Sequence, residues 1–273
     1  MKIIRVFSRR TKATPDDNLS FVKCPPPWYA TADEVYISVV FTYDLPVAEK
    51  LEKQWRNVAP CKIGGPALGD RGAEFTPGLY VKNGYVITSR GCPNSCWFCD
   101  AWKREGHTVR EYPIMDGFNL LDSNILRCSK NHFNAVCDML KRQKSKPEFT
   151  GGLEAAALEN YHIERLRELK PKQLFFAYDT PDDLEPLREA GDRLIKAGFT
   201  TASHALRAYV LCGYPKDTFL KAEKRMIQTA KAGFLPMAML YMDKEGFKNK
   251  EWGEFQRKFA RPAITSQILK KVA

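Results

Sequence analysis

No stretch of about 18 consecutive apolar residues occurs in the chain, so no membrane-spanning helix and no membrane partner are expected. The N-terminus, Met1-Lys2-Ile3-Ile4-Arg5-Val6, also lacks the longer apolar core and small-residue cleavage site of a secretory signal, which points to a cytoplasmic protein. Histidine is scarce: His107, His132, His162 and His204 are dispersed. Eight cysteines in such a chain argue against a disulfide framework and for metal or redox chemistry. Wholesale disorder is excluded, because 44% of the residues are hydrophobic and 27% charged.

Acidic residues are the minority charge. Forty-three Lys and Arg face thirty-two Asp and Glu, a formal charge of +11. A positive field attracts phosphates, so a polyanionic partner is one reading and a plain basic surface is the other. The excess is uneven. Lys244, Lys248, Lys250, Arg257, Lys258, Arg261, Lys270 and Lys271 in the last thirty residues meet only Glu245, Glu251 and Glu254, a net +5. Phe247, Trp252, Phe255 and Phe259 interleave them at helical spacing, which suits anchors on a core better than platforms for stacked bases.

The length, 273 residues, allows one large domain or one domain with a small appendage. Residues 1–84 read as a small α/β unit, a shortened Rossmann-like element. Residues 2–8 and 34–43 have the pattern of strands, 46–57 of a helix and 61–66 of a third strand, with a loop over 11–30. Strand, helix, strand implies a crossover onto a parallel sheet. Gly64-Gly65 suits a tight turn, and less well a close approach of phosphate to backbone amides. From residue 85 to 242 a longer rhythm appears. Strands are expected at 85–88, 117–121, 147–150, 173–178, 206–212 and 236–242. Helices are expected at 131–142, 155–169, 183–197 and 217–232. Strands alternating with helices imply a parallel sheet covered by helices, either open or an incomplete barrel. Ligands of both gather at the carboxyl ends of the strands. Residues 243–273 form a basic extension.

Ser89-Arg90-Gly91-Cys92-Pro93-Asn94-Ser95-Cys96-Trp97-Phe98-Cys99-Asp100 holds the chemistry. Three thiolates at C-x3-C-x2-C spacing can wrap one iron–sulfur cube. A [4Fe–4S] cluster takes four ligands, so three cysteines leave one iron open to a substrate or cosubstrate. Two other readings stay open at this point. Zinc takes Cys92, Cys96, Cys99 and His107 as a closed site, or a distant cysteine (Cys24, Cys61, Cys128, Cys137 or Cys212) closes the cluster.

The loop resembles that of the radical S-adenosylmethionine (radical SAM) superfamily, whose pattern is C-x3-C-x-aromatic-C, matched by Cys92, Cys96, Phe98 and Cys99. Thr88-Ser89-Arg90-Gly91 and Pro93 look most like the branch with an N-terminal cobalamin-binding-type domain, here shortened. The resemblance covers roughly residues 85–242 and implies a partial (β/α)6 parallel barrel. It also implies roles. Cys92, Cys96 and Cys99 would hold three irons, and the amine and carboxylate of SAM would chelate the fourth. Phe98 would lie near the adenine. Asp122 and Asn124 stand where the family often has Gly-Gly-Glu, absent here, for the methionine amine. Gly151, Gly152 and Glu154 would line SAM or substrate, with a solvated Glu154 as the plainer reading. Asp179 would bind ribose hydroxyls, or else cap the next helix. Tyr209 to Gly213 would meet the adenine through backbone groups, and Met239 and Tyr241 would complete that pocket. No histidine lies in the Asp-x-His-x-x-Gly motif that ligates cobalt in many relatives, which argues against cobalamin.

The resemblance implies a one-electron reductant such as flavodoxin or ferredoxin, and reductive cleavage of SAM to a 5′-deoxyadenosyl radical. The substrate does not follow from it. RNA is slightly favoured by the charge, with peptide and small molecule left open. The rival of another class is a non-catalytic zinc or iron–sulfur module presenting a basic nucleic-acid-binding surface.

Overall fold

The computed structural model describes residues 2–26, 31–71, 75–246, 249–261 and 265. Pro27, Phe247, Lys248, Lys270 and Lys271, and parts of the loops over 11–30 and 70–83, lie outside the described residues. Two parallel sheets organise the chain, each with its own hydrophobic cluster.

The first sheet has the order β2 (Ser20–Phe21), β1 (Ile3–Phe7), β3 (Glu34–Ser38), β4 (Cys61–Gly64), all parallel. Its alternation separates two faces. Ile4, Val6, Val35 and Ile37 are buried against Ala48, Leu51 and Trp55 of α1 (Leu45–Trp55). The spacing of those helix residues places them on one stripe. The Trp55 Nε1 donates to the Lys23 carbonyl at 3.0 Å, satisfying the one polar atom of a fully buried indole. The opposite face carries Arg5, Tyr36 and Lys62 in one row of the register, and Phe7, Ser38 and Gly64 in the next. No helix covers it. Arg5 is nevertheless buried, donating to the Gly78 and Leu79 carbonyls and pairing with Asp17. The 11–30 segment therefore holds a short strand where sequence indicated only a loop. The β3 strand stops at Ser38 rather than reaching residue 43, because Thr42–Asp44 turns into α1.

The second sheet has the order β5 (Tyr85–Val86), β8 (Asn119–Leu120), β9 (Glu148–Leu153), β10 (Gln173–Tyr178), β11 (Leu206–Cys212), β12 (Leu235–Leu240), all parallel and in chain order. Between β5 and β8, β6 (Ser89–Arg90) pairs antiparallel with β7 (Arg110–Glu111), enclosing the short α2 (Ala101–Glu105). The helices α3 (Lys130–Arg142), α4 (Asn160–Leu169), α5 (Leu184–Lys196) and α6 (Phe219–Lys231) follow β8, β9, β10 and β11 in turn. Leu174, Phe176, Leu206, Ala208, Val210 and Ala238 face Phe133, Val136, Leu166, Leu187 and Met226 in one cluster. The alternate residues Ala177, Arg207, Tyr209, Met237 and Met239 are outside that cluster and only partly covered. Long apolar runs fit strands buried under helices, and the mixed face fits a ligand-facing side.

Further boundaries differ from the sequence reading: β5 ends at Val86 rather than residue 88, and β8 covers only Asn119–Leu120 of the expected 117–121. The β6–β7 ribbon was expected as loop. The β9 strand continues through Gly151 and Gly152 to Leu153 instead of ending at Thr150. Residues 155–169 split into a 3-10 turn, Ala155–Ala157, and α4. Beyond β12, α7 (Lys250–Phe259) packs on the second core: Phe255 and Phe259 are buried, and Trp252 lies 4.3 Å from Phe219. The described tail aromatics are anchors. Lys250, Arg257, Lys258 and Arg261 remain exposed beside them. Among the described residues, no helix is long and apolar enough to cross a membrane.

His162, fully buried at the start of α4, accepts from the Glu159 N–H at Nδ1, 3.0 Å, and packs edge-on against Phe133 at 4.5 Å. Burial, and then Arg193, lower its pKa from 6.5 to about 4. Above pH 6.5 both folded and unfolded chains carry it neutral. Below that, the unfolded chain takes up a proton that the folded chain refuses until about pH 4. Stability should therefore fall between pH 6.5 and 4 by up to about 3 kcal/mol from this group. His162→Asn, which keeps an acceptor near Nδ1, should flatten that part of the profile in urea unfolding. A variant with the wild-type slope would remove His162 as its cause.

Candidate functional site

The carboxyl ends of the second sheet's strands carry the polar residues singled out by sequence, and the cysteine loop lies across them. Its base is a closed ribbon. Gly91 has φ of 103°, and a Cβ there would stand 2.2 Å from the Thr108 carbonyl oxygen, so only glycine lets the loop's ends meet. The Cys92 N–H donates to the Gly106 carbonyl at 3.1 Å. Inside the loop, the Cys96 carbonyl accepts from the Cys99 N–H at 3.2 Å and from Trp102 Nε1 at 2.9 Å. These bonds fold the segment into a tight arch.

The arch crosses the strands in order. Asn124, after β8, donates from Nδ2 to the Cys92 sulfur at 3.5 Å. Asn94 lies near enough to Glu154, after β9, to help hold its carboxyl down. Cys96 lies within electrostatic reach of Asp179 and Asp183, after β10. Trp97 sets its edge 5.6 Å from Tyr214, after β11, and 5.7 Å from Tyr241, after β12. The three cysteines are half-buried and unoxidised. Burial, then Cys99 and Cys92, push the Cys96 thiol up to about 11, and burial raises Cys99 as well.

Two buried carboxylates hold the arch from below. Asp122 accepts from the Thr88 N–H, from the Ser89 N–H at 2.8 Å and from the Thr88 hydroxyl at 2.7 Å. His132 Nε2 stands 3.2 Å from that same hydroxyl. Burial pushes the Asp122 carboxyl up against the pull of these donors. Glu105 accepts from the Gly91 N–H at 2.9 Å and the Ser123 hydroxyl at 2.6 Å, with Arg90 at 3.7 Å. Asp122 is thus a positioning residue inside the fold rather than a group facing ligand.

Asn124, its expected companion, does reach the rim. Its Nδ2 donates to Glu154 at 2.6 Å, and its Oδ1 is buried with no hydrogen-bond partner among the described residues. Burial works to raise the Glu154 carboxyl, but Arg127 and Asn124 outweigh it and hold it below the ordinary carboxylate range. Arg127 bonds Glu154 through both Nη2 and Nε, the latter at 2.9 Å. Glu154 is accordingly a paired, fixed carboxylate and not a solvated one.

The remaining candidates divide. Gly151 is where β9 passes the end of β8: a Cβ there would stand 2.2 Å from the Asp122 carbonyl oxygen. Gly152, with φ of 111°, borders open space. Asp179 is not the helix cap. Thr180 and Asp183 form that capping box, while the Asp179 carboxylate accepts from the Leu211 N–H at 3.2 Å. Burial and Asp183 push it up to about 7. Tyr209 lies within the ladder between Ala177 and Met237, so its backbone is paired. Its hydroxyl donates to the Thr150 carbonyl at 3.1 Å, and its ring stacks on Phe175 at 4.3 Å. Gly213, at φ of 74°, closes the turn after β11 beside Trp252, and its N–H donates to Asp217 at 2.9 Å. Phe98 is half-buried at the edge of Trp97, and Met239 is exposed on the uncovered face.

Arg127, Glu105 and Tyr214 were missed. Arg127 sits in a 3-10 turn, Glu105 at the end of a short helix and Tyr214 in the turn after β11, where spacing carries no information on direction.

Among the described residues, no three His, Cys, Asp or Glu side chains are gathered to hold a single metal ion. The His107 Nδ1 faces the Pro93 carbonyl at 3.3 Å and the ring stacks on Trp102. His107 Nδ1 is thereby turned to the arch backbone. A single ion at about 2.3 Å from each sulfur draws its ligands to within about 4 Å of one another. A four-iron cube takes one thiolate per iron and spreads them more widely. The three thiols stand on one arch, and among the described residues no further Cys, His, Asp or Glu gathers with them around a single point. The buried, unsatisfied Asn124 Oδ1 beside Cys92 suits a cationic donor such as an ammonium. No family model matches this chain, and no curated protein is significantly similar to it.

Asp122→Ala should destabilise the chain by about 2–4 kcal/mol, because two backbone N–H groups lose their buried acceptor. Urea unfolding measures this. A loss below 1 kcal/mol would mean that water replaces the carboxylate and that the clamp is dispensable.

Proposed function

We propose that this chain is a radical SAM enzyme built on a partial (β/α)6 barrel, with a [4Fe–4S] cluster on Cys92, Cys96 and Cys99. The observation that carries the reading is the cysteine arch spanning the carboxyl ends of a six-stranded parallel sheet, with the orphaned Asn124 Oδ1 beside its first sulfur. The strand order supports the barrel. A doubly wound sheet reverses its order midway, whereas strands added always on one side, with their helices on one face, curl toward closure.

When bound, the cluster supplies the electron that splits SAM into methionine and a 5′-deoxyadenosyl radical, which takes a hydrogen atom from substrate. Asn124 Oδ1 accepts from the methionine ammonium, and Glu154, held by Arg127, fixes the Asn124 amide in place. Asp179 accepts from a ribose hydroxyl. Phe98, Met239 and Tyr241 wall the adenine, and Trp97 with Tyr214 covers the mouth against water. A flavodoxin- or ferredoxin-type reductant delivers the electron. RNA is the substrate class that the +11 charge favours.

The test is anaerobic reconstitution with iron and sulfide, reduction, addition of SAM and assay for 5′-deoxyadenosine. The nucleoside should form in the wild type and not in Cys96→Ala. Its retention in that variant, or a formed cluster whose electron paramagnetic resonance spectrum SAM leaves unchanged, would overturn the reading. Asn124→Leu should keep the cluster signal and weaken SAM binding by about tenfold or more, the worth of one charge-assisted hydrogen bond. Wild-type affinity would take Asn124 out of the SAM site.

A further inference from the structure

A large cavity lies away from the cysteine arch. It measures about 700 Å³ and lies between the two sheets. One wall is the helix-free face of the first sheet, where Tyr36 and Lys62, then Phe7, Ser38 and Gly64, stand in register. The opposite wall is the base of the cysteine arch and the carboxyl ends of β5 and β8: Ile87, Arg90, Arg104, Glu105, Leu121 and Ser123. Parallel sheets bury both faces as a rule. Here one face carries α1 and the other carries this space, bordered by the carboxyl ends of strands from both sheets, where α/β folds bind ligands. The volume is that of a small-molecule site.

The lining fixes the chemistry. It is mostly apolar, with Phe7, Phe41, Phe75, Leu79 and Tyr80 among its walls. The cations on the first sheet's side are neutralised: Arg9 by Asp44 and Lys62 by Glu34. On the other side Arg90 is paired with Glu105, and among the described residues Arg104 is not paired. Glu105 pairs with Arg90 at 3.7 Å while also accepting from the Gly91 N–H and Ser123, and Asp70 is a second carboxylate in the lining. Arg104 bonds only the Asp100 carbonyl, at 3.4 Å, and has no carboxylate partner among the described residues. Apolar walls with the Arg104 guanidinium free of a carboxylate at one end select an amphipathic anion.

We propose that this cavity is a second ligand site, separate from the cysteine arch, that takes a largely apolar or aromatic small organic acid. The acid group lies at Arg104, and the apolar body lies along Phe7 and Phe75. The Gly64-Gly65 turn serves it in a plain steric way. Gly65, at φ of 113°, packs its backbone onto Val39, where a Cβ would stand 2.8 Å from the carbonyl oxygen. Gly64 leaves room: a Cβ there meets nothing within 4 Å. Only the arch base separates the two sites. Ser123 borders the cavity while its neighbour Asn124 touches Cys92, so the occupant presses on the residues that hold the first cysteine.

The experiment titrates the metal-free, full-length chain with anilinonaphthalene sulfonate, an aromatic anion, and with neutral phenylnaphthylamine, following probe fluorescence. Its outcome is thereby independent of the cluster assignment. One sulfonate should bind per chain. Gly64→Phe, which fills the cavity from an unstrained strand position, should weaken both probes at least about tenfold with an unchanged melting temperature. Arg104→Gln should weaken the sulfonate several-fold and leave the neutral probe unaffected. Should Gly64→Phe fail to fold, Arg104→Gln decides alone. Undiminished binding of both probes to folded Gly64→Phe, or equal binding of the sulfonate to Arg104→Gln and wild type, would overturn the proposal.

Discussion

Parallel pairing places the carboxyl ends of all strands in a sheet on one edge, and both halves of this molecule depend on that constraint. In the second sheet it brings Asn124, Glu154, Asp179, Tyr214 and Tyr241 within reach of one loop, although they span more than a hundred positions of sequence. The loop itself supplies only three sulfurs and two large aromatics. Everything else it needs comes from strand ends, and the helices fill the far face so that the near face can stay open.

The arch is held at its base rather than at its tip. Asp122 and Glu105 each accept two or more hydrogen bonds from the segment 88–91 and its neighbours. Both are buried or nearly so, which makes each bond costly to lose and each partner hard to move. At the tip the contacts are aromatic edges and one long bond to sulfur. A rigid base with a loosely held tip suits the cluster-binding role proposed for this loop.

The first sheet shares this economy. One helix covers one face, Arg5 ties the 78–79 turn to the other, and the rest of that face borders the large cavity. The wall shared with the second sheet contains Arg90, Glu105 and Ser123, the same residues that brace the arch. The two candidate sites are thus mechanically adjacent while chemically different, one lined by sulfur and carboxylate and the other by apolar rings and guanidinium.

The strands of the second half and most of its helices were legible in the residues. Leu206–Cys212 and Gln173–Tyr178 are continuous apolar runs between turn signals, and burial on the helix side demands such runs. The cysteine spacing was equally legible, because ligand identity and short-range geometry are local. Strand ends were less so: Gly151 and Gly152 read as a turn, yet they extend β9, since a missing side chain is what lets it pass the Asp122 backbone at close range. Sequence alone thus determined the α/β class, the residues able to carry chemistry and the direction of charge. Tertiary structure decided which carboxylates brace and which face the site, sending Asp122 inward, Glu154 to Arg127 and Asp179 to the Leu211 amide. It also decided that the two sheets enclose a cavity. Those outcomes rest on distances between segments far apart in the chain, which no local pattern encodes.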